Sequence, residues 1–122
     1  MKRISCPTES QEQVMLFQWA RFEAAKHPEL RLMYHIPNER SSRNEAFRLK
    51  NEGVKAGVPD IFLPCARGGY HGLYIELKRR EGGRLSQYQR EMIRALREQD
   101  YAAVVCKGFD EARQVILDYL RM

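Results

Sequence analysis

The chain has 122 residues, 43% hydrophobic and 30% charged, with a net charge of +5 and a pI near 9.3. This balance predicts a single soluble globular domain over residues 1–122 and excludes a disordered or fibrous chain, while the mild basicity permits a polyanionic partner without requiring one. No stretch resembles a leader or a membrane span, and three scattered cysteines (Cys6, Cys65, Cys106) exclude a disulfide framework, so reduced thiols and a cytoplasmic location are expected.

A first helix is predicted over about residues 10–26. Thr8 with Gln11, and Ser10 with Gln13, both have capping-box spacing. Met15, Leu16, Trp19, Phe22 and Glu23 recur at mostly helical spacing, and Pro28 ends the run. Residues 32–36 read as a short strand, 37–42 as a polar loop, and 43–51 as a second helix with Gly53 as its C-cap. Residues 61–63 and 73–77 read as strands joined by a glycine-bearing turn. A charged loop at 79–84 leads to a helix starting at Ser86 and running to about Gln99, with Tyr88, Met92, Ile93 and Leu96 at helical spacing. Residues 101–106 form a buried strand and 110–120 a last helix, with Ala112, Val115, Ile116 and Tyr119 inward. The order α-β-α-β-β-α-β-α implies an α/β fold, a mixed and partly parallel sheet of about four strands flanked by helices.

The chemistry concentrates around one hairpin. Asp60 opens the first strand after Val58-Pro59, and Glu76-Leu77-Lys78 lies in the second. Antiparallel pairing about Gly68 sets Asp60 opposite Glu76, roughly 4.5–5.5 Å apart at Cβ. Alternation puts Glu76 and Lys78 on one face with Tyr74, and sends Leu73, Ile75 and Leu77 to the core. Two carboxylates facing each other can hold a divalent cation, and an ammonium beside them can orient or activate a water. An all-oxygen set suits Mg²⁺ or Mn²⁺ better than zinc. A surface Glu–Lys pair on an edge hairpin has the same local spacing; the fixed bend at Pro59 favours the metal reading. His35 and His71 have no zinc-site spacing, and His35, alternating with Tyr34 in a strand, is assigned to packing or nucleic-acid contact.

Gly57-Val58-Pro59-Asp60 and Ile75-Glu76-Leu77-Lys78 are joined by Glu9-x-x-Glu12-Gln13, Ile36-Pro37-Asn38, Leu49-Lys50, Gly53 and Gly82-x-x-Leu85-Ser86-x-x-Gln89. In this order the chain resembles the PD-(D/E)xK nuclease superfamily, and within it the VRR-Nuc (virus-type replication–repair nuclease) family in its stand-alone phage and bacterial form. The resemblance covers nearly the whole chain. It implies a restriction-endonuclease-like core and a Mg²⁺- or Mn²⁺-dependent, structure-selective DNA endonuclease. It further implies a homodimer that cuts branched DNA such as Holliday junctions, in the cytoplasm of a bacterial or phage-infected cell.

Carried over by residue, the resemblance makes Asp60 and Glu76 metal ligands, with the Leu77 backbone carbonyl as a third. Lys78 would stand beside the attacking water. A glutamate of helix one would approach the metal through water; Glu12 is favoured because Met15, Leu16 and Trp19 follow it at packing distance, with Glu9 as the alternative. Gln89 would join the site, and it also completes a capping box with Ser86. Asn38, Arg40, Arg43, Arg48, Lys50 and Lys55, with Arg67, Arg79, Arg80 and Arg84, read as a path for the DNA backbone. Two other readings are a flap- or end-processing repair nuclease and a catalytically silent DNA-binding module.

Overall fold

A computed structural model of the chain describes residues 5–37 and 43–122. Four strands, β1 (Tyr34–His35), β2 (Ile61–Leu63), β3 (Leu73–Lys78) and β4 (Ala102–Lys107), form one mixed sheet in that spatial order. β1, β2 and β3 pair antiparallel and β4 runs parallel to β3, with α3 (Gln87–Glu98) carrying the crossover. The other helices are α1 (Glu9–Glu23), α2 (Arg43–Asn51) and α4 (Phe109–Leu120). The element order is the one expected. Among the described residues no helix is long and apolar enough to cross a membrane.

Local chemistry sets the ends of these elements. Thr8 caps α1 and Ser86 caps α3, each in a full capping box with Gln11 and Gln89. Of the two boxes that could start α1, the Thr8 box is the one formed. After α2, Gly53 has φ +100°, its N–H donates to Lys50 O, and Val54 N–H donates to Leu49 O. That is a Schellman closure, which needs a residue that tolerates the left-handed region. β1 is shorter than expected. Pro28 starts a 3-10 turn, Pro28–Leu32, which absorbs Leu32 before the chain extends.

One face of the sheet is the core. Leu73, Ile75 and Leu77 meet Leu16 and Ala20 of α1 and Ala112, Ile116 and Tyr119 of α4, all buried. Tyr119 is buried yet satisfied, since its hydroxyl donates to Cys65 O at 2.5 Å. The stripe of α1 that packs is Glu12, Leu16, Ala20 and Ala24, each four residues apart. Phe22 falls outside it and is 90% exposed, although it recurs at helical spacing with Trp19. On the other face Phe62 and Tyr74 stack at 4.2 Å, with Tyr34 and Tyr101 edge-on to them.

Candidate active site

Hairpin register builds the site. Ile61 pairs with Ile75, and Leu63 with Leu73, so one step outward sets Asp60 across from Glu76. Asp60 Oδ2 accepts the Leu77 N–H at 2.8 Å, tying the first carboxylate to the second strand. Within a strand the N–H and C=O of one residue point to the same neighbour. Lys78 O accepts from Gly108 N–H on the β4 side. The Leu77 carbonyl therefore turns to the opposite edge, where Asp60 sits.

Gln89 closes the other side. Its Nε2 donates to Glu76 Oε1 at 2.8 Å, and its Oε1 accepts from Lys78 Nζ at 3.0 Å and from Ser86 N–H at 2.9 Å. One side chain serves the cap and the charged pair together, with Oε1 shared between Ser86 N–H and Lys78. The start of α3 fixes the amide, and the amide orients both charged residues of the Glu-x-Lys pair. Lys78 Nζ stands 3.5 Å from Glu76 Oε1, with both side chains nearly covered.

Electrostatics mark the pair as short of positive charge. Burial, then the Asp60 charge, pushes the Glu76 carboxyl up to about 8, with Lys78 pulling against them. Burial also raises Asp60, against the Leu77 N–H that lowers it. Glu76 Oε2 is buried and has no hydrogen-bond partner among the described residues. An orphaned carboxylate oxygen facing a second carboxylate fits a hard divalent cation, which would satisfy the one and neutralise the other. No group of three His, Cys, Asp or Glu side chains placed to hold a metal ion occurs among the described residues. A cation at the pair would find further protein oxygen in the Leu77 carbonyl.

The cleft beside the pair is lined by Glu9, Ser10 and Gln13 of α1, by His35 and Val58, and by Asp60, Leu77 and Gln89. Glu9 is the α1 glutamate on this cleft. Glu12, favoured from sequence, is fully buried elsewhere: its carboxylate accepts from Arg80 Nε at 3.0 and 3.1 Å and from Phe109 N–H at 3.0 Å. Packing distance to Leu16 drew Glu12 inward as expected, but to the first turn of α4 rather than to the carboxylate pair.

His35 lines the cleft without having been singled out for it. Its Nδ1 lies 2.9 Å from Asp60 O, which also accepts Ile36 N–H at 2.6 Å. A carbonyl only accepts, so Nδ1 carries the proton. The signal was the register Tyr34↔Phe62 and His35↔Ile61, which a two-residue strand does not announce in sequence.

The basic residues divide. Arg43, Lys50, Lys55, Arg79 and Arg84 are exposed, and Arg48 pairs with Glu52 on α2 at 3.3 Å. Arg67 sits in the hairpin turn, at the opposite end from Asp60, and is bound to Glu29 at 2.6 Å. Arg80 is bound to Glu12 and, at 3.5 Å, to Asp110. Asn38 and Arg40 lie outside the described residues.

Comparison with known proteins agrees with this geometry. The family model of the VRR-NUC domain matches residues 4–110. A solved structure described as a VRR-NUC domain protein is 35% identical, with a TM-score of 0.84, over 96% of this chain and 91% of that one. Comparison with curated proteins gives no match.

Proposed function

Because the chain belongs to the VRR-NUC domain family of PD-(D/E)xK-type nucleases, we propose that it is a Mg²⁺- or Mn²⁺-dependent, structure-selective DNA endonuclease. The observation that carries this is the opposition of Asp60 to Glu76, with an unsatisfied Glu76 oxygen and Lys78 held alongside. Asp60, Glu76 and the Leu77 carbonyl would hold the cation. Bound there, a divalent cation would polarise the scissile phosphate and lower the pKa of a coordinated water.

The chain's own residues do the rest. Gln89 fixes the Lys78 ammonium beside Glu76, where it stabilises charge building on the attacking water and the phosphate oxygens. His35 and Ile36 N–H anchor the Asp60 backbone, so the first carboxylate is set before substrate arrives. Glu9, on the cleft wall, is the α1 glutamate that would reach the metal through water. Arg43, Lys50, Lys55, Arg79 and Arg84 supply backbone contacts, which recognise shape rather than sequence.

Branched DNA with two equivalent strands calls for two such sites, which a two-fold homodimer provides. The aromatic row of Tyr34, Phe62 and Tyr74, with Tyr34 half exposed, has the uncharged aromatic composition of an interface core.

The test is cleavage of a labelled four-way junction, a fork, a 5′ flap, linear duplex and single strand with Mg²⁺, with Mn²⁺ and with EDTA. Paired nicks on the junction that vanish in Asp60→Ala and with EDTA are expected. Preferential flap or end cleavage would move the role to end processing. Tight binding with no product on any substrate would leave a binding module.

A further inference from the structure

Three hollows follow one another through shared lining residues, beginning at the cleft that holds Asp60. The cleft holding Asp60 shares Val58 with a second hollow of about 210 Å³ under Ile36 and Pro37. That hollow shares Gly53, Val54 and Lys55 with a third, of about 440 Å³, bounded by Lys50 and Tyr88. The lining changes along this groove, from carboxylates at one end to ammonium groups and a phenol ring at the other.

Tyr88 is the unusual member. It is 66% exposed, whereas Ile93 of the same helix is buried. It is also the residue before Gln89, whose amide contacts both Glu76 and Lys78. The wall opposite it is not free to drift. Gly57 has φ +86°, and a Cβ there would run into the Tyr88 carbonyl, so the 53–57 loop is pressed against the first turn of α3. The backbone that carries this exposed ring is thus held next to Gln89, and Lys50 lines the same hollow.

Hollows of a few hundred cubic ångströms admit a nucleotide and are too narrow for a duplex. Exposed aromatic rings bordered by cations bind unstacked bases, because every base offers a π face and every phosphate a charge. We propose that this groove takes an unpaired DNA strand adjoining the scissile phosphodiester, with one base stacked on Tyr88 and its phosphate drawn to Lys50. This rests on the nuclease reading and adds the substrate feature selected: nucleotides unpaired beside the cut, as at a fork or where a junction opens at its branch point.

The experiment uses forks and perfectly paired duplexes carrying 2-aminopurine at successive positions beside the cut. Affinity and fluorescence are measured in a Lys78→Ala background, so that the DNA stays whole, and nicking is measured without it. Tyr88→Ala should weaken fork binding roughly ten-fold, abolish the quenching of one 2-aminopurine position, and leave duplex binding unchanged, while Tyr88→Phe retains both. Unchanged fork affinity and quenching in Tyr88→Ala would overturn the inference, as would an equal loss in Tyr88→Phe. A wild-type protein that neither prefers nor cuts branched DNA would instead remove the functional reading beneath it.

Discussion

Glu76 carries more than any other side chain, and its environment makes two opposite demands. The folded chain without a cation retains a proton on this carboxyl up to about pH 8, while the unfolded chain releases it near 4.5. The folded state therefore binds more protons between those values, and stability falls as pH rises through that window. Asp60, also raised, acts in the same direction. Thermal melts in EDTA should show the melting temperature dropping from pH 5 to pH 8. Glu76→Gln should flatten that slope and raise stability at pH 8 by on the order of 1–3 kcal/mol, while abolishing cleavage. Mg²⁺ should stabilise the wild type and not this variant. A melting temperature that climbs with pH would show that the carboxylates are not held in opposition. Asp60, Glu76 and Lys78 were legible in sequence because a period-two strand and a turn centred on Gly68 define who faces whom. His35 was not, because its place depends on a cross-strand pairing with no local signature.

At the level of elements, the least legible contact is the one joining α1, α4 and the end of β3. Gly108 starts α4 without a capping side chain, and the Phe109 N–H takes its acceptor from Glu12 of α1. Arg80, just past β3, neutralises the same carboxylate. Sequence spacing did not separate this polar centre from the carboxylate pair, because capping from a residue 97 positions away has no spacing rule. The consequence is testable by separating fold from activity. Arg80→Ala leaves a fully buried carboxylate without its cation and should lower the melting temperature below that of the wild type. Glu12→Gln, which can still accept from Phe109 N–H, should lower it less and cut within a few-fold of wild type wherever it stays folded. Glu9→Gln should leave stability unchanged and slow cleavage about 10-fold or more, as loss of an outer-sphere metal contact does. Folded Glu12→Gln with no cleavage, beside an active Glu9→Gln, would return the metal-approaching role to Glu12. The helices themselves were easier to foresee: both capping boxes and the Schellman glycine are local, and each element fell within a few residues of its expected span.

Taken whole, the molecule carries a net charge of +5, but that sum says nothing about where a polyanion lies. Some of its cations are already paired with carboxylates. Arg67 is held by Glu29 at the far end of the hairpin, and Arg80 by Glu12. Lys50, at the basic end of the groove, and Arg84, in the loop before α3, are exposed. If DNA runs from the carboxylates toward Lys50, binding weakens with salt according to the phosphates these residues neutralise, not according to net charge. Titrating binding to a fork against NaCl gives that number as the slope of log K against log salt. Lys50→Ala should reduce the slope by about 1 and lower affinity on all sequences alike, and Arg84→Ala should behave similarly. Arg67→Ala removes the same formal charge and should leave the slope where it was. Equal effects of Lys50→Ala and Arg67→Ala would mean that the DNA responds to the overall field of a basic protein, and the path from Asp60 to Tyr88 would lose its electrostatic support.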